Sequence, residues 1–303
     1  MNNRHIIFVP GKNPKPPPEQ HHQLLWRALL EGIRRSDPEL VDAVSTHADC
    51  FTLVAWNYLY YQQFSDINRD LPWVDALFNK HGPTAEDILE TRNWQRRLAK
   101  LLFSIGDIFP FTIPLLPKTI RDIALETRRY FSNADNIACN IRELLKAELR
   151  PRLSANDKVI LIGHSLGSVI AYDTLWELSH LEQLPGKVDL FLTLGSPLGM
   201  HYVQCRLKGY KDNAGKQYPT NIQRWVNISS VGDITALDRV FREDFGRMLE
   251  LGIIDSIEDY SEAIYNYFRD EEGLNVHRSY GYLVNPAVGH IIGEWWRQPE
   301  RKT

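Results

Sequence analysis

The chain has 303 residues, of which 43% are apolar and 24% charged, and its net charge is −3. That is long enough for one large α/β domain with an insertion, and it carries no basic stripe that would suit nucleic acid. Its three cysteines, Cys50, Cys139 and Cys205, form no C-x-x-C pair and suit a reduced, cytoplasmic setting; no histidine cluster has metal-ligand spacing, so neither metal nor cofactor is expected.

The first apolar run, Ile6–Val9, is too short for the core of a secretory signal, and no stretch reaches the roughly 18 apolar residues of a membrane span. No transmembrane segment is expected, and peripheral membrane contact stays open. "HIIFVPG" (5–11) reads as a buried strand closed by Pro-Gly, and "KNPKPPP" as a stiff extended loop. The next stretch, "EQHHQLLWRALLEGIRRS", has apolar residues at helical spacing, and "CFTLVAWNYLYY" (50–61) reads as a second strand. From Gln62 to about Arg129 the strand pattern stops. Helical stretches near 84–105 and 118–131 flank "IFPFTIPLLP", which Pro110, Pro114 and Pro117 keep from being one helix. The whole chain, 1–303, is read as a single domain with a helical cap inserted at about 62–130.

Beyond the cap, 133–153 reads as an amphipathic helix stopped near Pro151. "KVILIGHS" is a strand, "LGSVIAYDTLWELSHL" a helix, "KVDLFLTLGSP" (187–197) a strand and "RWVNISSVGD" (224–233) the last strand. "PAVGHIIGEWWRQ" (286–298) is a final helix, with Asn285 as N-cap and Pro286 at its first position. Strands alternating with helices predict an α/β fold: a mostly parallel sheet flanked by helices.

The informative motif is G-x-S-x-G at 163–167, between a predicted strand and a predicted helix. A serine hydroxyl is a weak nucleophile until it is presented openly and a base takes its proton. The strand-to-helix turn presents Ser165, and the backbone N–H of Leu166 falls at the helix start as one oxyanion donor. In this arrangement the acid and then the histidine follow the serine along the chain. Asp233, after the last predicted strand, is the leading acid and Asp238 the reserve. His277 and His290 are the histidines that remain. His277 sits in a loop before the last helix and is the expected base; His290, among Ile291, Ile292, Trp295 and Trp296, is expected to be packed and structural. His164 should point away from Ser165. The second oxyanion donor should come from the loop after the first strand, where Gly11 allows a close approach and Lys12 supplies the N–H. Phe109 and Phe111, in the proline-broken segment, are candidates either for an acyl-pocket wall over Ser165 or for a loop tucked into the core.

At "FVPGKNPKP", "GHSLGS", "LTLGSPLG", "NISSVGDITALD" and "HRSYGYLVNPAVGHII" the chain resembles the α/β-hydrolase superfamily, on its lipase-like side. The Gly-Asp-Ile after the last predicted strand is similar to the acid loop of fungal-type triglyceride lipases. The H-x-S-Y before the final helix is similar to the histidine segment of bacterial lipase-like hydrolases. The resemblance implies Ser165 as nucleophile, Asp233 as orienting acid and His277 as general base, acting on a small-molecule ester or lipid. The chain departs from the usual His-Gly of the first-strand loop, which here is Pro10-Gly11. The same residues would serve a thioesterase or an acyltransferase, and a catalytically silent binding scaffold is the reading from another class.

Overall fold

The computed structural model describes residues 3–93, 127–213, 215–236 and 240–299. Six strands form one sheet in the order β2-β1-β3-β4-β5-β6: β1 Arg4–Val9, β2 Phe51–Leu53, β3 Lys158–His164, β4 Val188–Leu194, β5 Ile222–Ile228 and β6 Ser256–Tyr260. Every neighbouring pair is parallel. Parallel strands need crossovers that put helices on the faces, which is why β3 can be buried at all seven positions.

Strand alternation divides the core between the two faces. Ile6, Phe8, Ile160 and Ile162 point to one side, with Leu25 and Leu29 of α1 (Pro18–Ser36) and Ile291, Ile292 and Trp295 of α8 (Pro286–Arg297). Ile7, Val9, Val159 and Leu161 point to the other, with Leu145 and Leu149 of α5 (Ile137–Ser154) and Val169 and Ile170 of α6 (Leu166–His180). Each such side chain is fully out of water, worth roughly 1.5–3 kcal/mol. The helix ends follow local chemistry. Pro18 opens α1, which stops at Asp37, a residue pushed out of the helical region by Pro38. Asn285, two residues past α7 (Ser279–Leu283), caps α8 by accepting from the backbone N–H of Ala287.

The expected second strand is much shorter than 50–61. Only Phe51–Leu53 pairs, and Asn57–Tyr61 is a helical turn, α2. The aromatic run looked like a strand by composition, yet Trp56 and Tyr60 bury their rings against each other edge-on from a helix. The strand expected at 224–233 runs 222–228 and is not the last, since β6 follows as the sheet's outer edge. α5 continues through Pro151 to Ser154, the proline falling in its final turn. Within the described part of 62–130 there is no strand; α3 (Leu71–Phe78) was not foreseen, and α4 (Ala85–Thr91) opens on a Thr84–Asp87 capping box. No helix among the described residues is long and apolar enough to cross a membrane.

Candidate active site

From β1 the chain crosses to β2 on one side, then returns to place β3 on the other side of β1. The strand order therefore reverses between β1 and β3, and open parallel sheets take ligands in the crevice at the carboxyl ends of such a pair. The register ends with Val9 opposite Gly163. Gly11 and Ser165 follow directly on the two strands.

Ser165 has φ 53° and ψ −127°, a backbone conformation that L-residues rarely adopt. Several contacts hold it there. Its N–H donates to the Leu194 carbonyl at 3.0 Å. Its own carbonyl accepts from the Ser168 hydroxyl at 2.6 Å, and Ser168 in turn meets Ser196 at 2.6 Å. The turn also needs bare backbone beside it: a Cβ on Gly167 would lie 2.1 Å from the Val9 carbonyl oxygen.

The side chains close into one hydrogen-bonded chain. Ser165 Oγ lies 2.8 Å from His277 Nε2, and His277 Nδ1 lies 2.8 Å from Asp233 Oδ2. Asp233 is fully buried, which would raise its pKa, but the facing His277 and hydrogen bonds from His277, Thr235 and Tyr282 outweigh this and hold the carboxyl well below its ordinary range. Its Oδ1 accepts from the Thr235 N–H at 2.9 Å and hydroxyl at 2.6 Å, and its Oδ2 accepts from the Tyr282 hydroxyl at 2.7 Å. An ionised carboxylate only accepts, so His277 Nδ1 carries the ring proton and Nε2 accepts from the serine. Gly195, at φ +54°, makes room for this pair: a Cβ there would meet Asp233 Oδ2 at 2.8 Å and His277 Nδ1 at 3.1 Å.

Thus Ser165, Asp233 and His277, expected from sequence to act together, do meet. Leu166 begins α6 directly after the serine. Lys12 follows Gly11, where a Cβ would lie 2.8 Å from both Ser165 Cβ and His164 Nδ1, so a side chain at 11 would crowd the serine. His164 faces His277 rather than Ser165: its ring lies 4.9 Å from that of His277, and its Nε2 lies 2.8 Å from the His277 carbonyl, to which it donates. Burial, and then the neighbouring His277, push its pKa well down, so it stays neutral. The packed, structural role expected of His290 is overturned: its side chain is 66% exposed and faces Glu294. Val288, Ile291, Ile292 and Trp295, three and four positions apart, turn α8 inward along its other stripe. Asp238, Phe109 and Phe111 lie outside the described residues. Sequence reasoning did not find Thr235, Tyr282 or Gly195. The first two are visible only as donors to a buried carboxylate, and nothing in "LTLGSPLG" marks Gly195 as the residue packed against it.

A hydroxyl against an imidazole nitrogen, with the ring fixed by an ionised carboxylate, can pass its proton to the ring as the oxygen attacks an electrophile. No family model, no curated protein and no solved structure matches the chain.

Proposed function

We propose that the chain is a serine hydrolase of the α/β-hydrolase type, cleaving a carboxylic ester through an acyl-enzyme. Ser165 Oγ attacks the ester carbonyl while its proton passes to His277 Nε2, and Asp233 stabilises the imidazolium that forms. The carbonyl oxygen, now negative, takes hydrogen bonds from the backbone N–H groups of Leu166 and Lys12. His277 returns the proton to the leaving alcohol. Water then attacks the acyl-enzyme by the same path reversed, releasing the acid and restoring the serine. The observation that carries this reading is the unbroken Ser165–His277–Asp233 chain, 2.8 Å at each link, on a serine held in a strained turn.

The test is a fluorophosphonate adduct mapped by mass spectrometry, together with turnover of p-nitrophenyl esters of increasing acyl length. One adduct is expected, on Ser165, and Ser165→Ala should lose it along with on the order of 10³-fold or more of turnover. His277→Ala should do the same, whereas His290→Ala should leave turnover unchanged. An adduct that persists in Ser165→Ala, or a wild-type protein inert to the probe and to every ester, overturns the reading.

A further inference from the structure

We infer that Asn57, with Trp56 beside it, is a positioning residue for the oxyanion-binding peptide at Gly11–Lys12; this rests on the hydrolase reading above. β2 lies next to β1, so the turn that leaves β2 emerges beside the loop that leaves β1. Asn57, the first residue of α2, is only 3% exposed. Its Nδ2 donates to the Gly11 carbonyl at 2.8 Å and to the Asn13 carbonyl at 2.9 Å. Both partners are carbonyl oxygens, so the amide nitrogen must be the atom that faces them. Its buried Oδ1 has no partner among the described residues. Both hydrogen bonds of the amide nitrogen thus go to one loop. Trp56 Nε1 donates to the Pro10 carbonyl at 2.8 Å, and the Asn13 N–H donates to the Tyr61 hydroxyl at 2.9 Å.

These contacts fix the directions of two peptide planes. In a trans peptide the carbonyl and the following N–H point opposite ways. With the Gly11 carbonyl turned onto Asn57, the Lys12 N–H is turned away from Asn57; with the Pro10 carbonyl turned onto Trp56, the Gly11 peptide is fixed as well. Such pinning matters here because glycine rotates at little steric cost. Gly11 must be glycine, since a Cβ there would lie 2.8 Å from Ser165 Cβ and from His164 Nδ1. The residue that allows the close approach is also the one most able to flip its peptide, which would turn a carbonyl oxygen towards the developing anion. Asn57 blocks that flip without touching substrate.

The test compares wild type with Asn57→Ala and with Trp56→Phe, which keeps an aromatic ring in place if the first variant folds poorly. Each is assayed on an ester and on its thionoester, whose sulfur is a weak hydrogen-bond acceptor. In the variants kcat for the ester should fall about 10- to 100-fold, below the full loss of an oxyanion donor. KM and the pH profile should stay, because His277 and Asp233 are untouched, and the preference for ester over thionoester should shrink. Unchanged kcat overturns the inference. So does an equal loss on both substrates together with a lowered Tm, the pattern of mere destabilisation. A wild-type protein whose Ser165 takes neither ester nor fluorophosphonate overturns it from beneath, and that outcome is recognised because it needs no variant.

Discussion

Asp233 is a buried charge, kept ionised by four donors: the Thr235 N–H and hydroxyl, the Tyr282 hydroxyl and the His277 ring. Its pKa in the folded chain lies below the roughly 3.9 of an unfolded aspartate. The charged form is therefore favoured by folding, and the stability it contributes is present above about pH 4 and lost as pH falls towards the native value. Asp233→Asn should accordingly melt below wild type at pH 7, and the gap between the two should narrow on acidification below about pH 4. Thermal melts at pH 7, 5 and 3 check this; a gap that widens towards pH 3 sinks it. The same variant should lose up to about 10⁴-fold in turnover by favouring the wrong imidazole tautomer. The acid was legible in the sequence because it follows a strand, and the serine because two glycines flank it. Its supporting donors were not, since a threonine and a tyrosine become donors only when a carboxylate is folded against them. His290 was misread although the information was there: Val288, Ile291, Ile292 and Trp295 share one stripe of α8, which leaves His290, Glu294 and Arg297 facing water.

Among elements, the segment running from Asp70 through α4 braces both loops that carry the site. Arg278, next to His277, pairs with Asp70, which also accepts from the Tyr280 hydroxyl at 3.2 Å. The small hairpin of β7 (Arg269–Asp270) and β8 (Gly273–Leu274) is tied down by Arg269, which meets Asp87 at 2.9 Å and Glu90 at 2.7 Å. On the acid side, Gly232 packs against the backbone of Thr91, the last residue of α4. Asp70→Asn should loosen the His277 loop from this brace. A misplacement near 1 Å can cost up to about 10²-fold, so the rate of fluorophosphonate labelling should fall severalfold while the Tm moves little; a labelling rate equal to wild type counts against the brace. None of this was readable in advance, because each pair joins residues about 140 to 210 positions apart. The long apolar strands and helices were readable, since burial on one or both faces writes a period into the sequence. β6, "SIEDY", was not. As an edge strand it carries Glu258 and Asp259, with Glu258 meeting Arg224 and Asp259 accepting from the backbone of Phe241 and Arg242.

At the scale of the whole molecule, the pairing of β1 with β3 sets the order in which the chain can become a protein. Arg4 lies opposite Lys158 and Val9 opposite Gly163. During synthesis, at about 5–20 residues per second, β1 leaves the ribosome roughly 8 to 30 s before the strand it needs. Until then its only partner is the three-residue β2, and the other edge, with Ile6, Ile7, Phe8 and Val9, has nothing to pair with. Open apolar edges recruit other chains. A fragment ending at residue 156 should therefore collect in the pellet of a lysate, and a soluble monomeric fragment would argue against this account. Gly11 joins Ser165 only when β3 arrives, so until then a nascent chain carries half of the crevice, without Ser165.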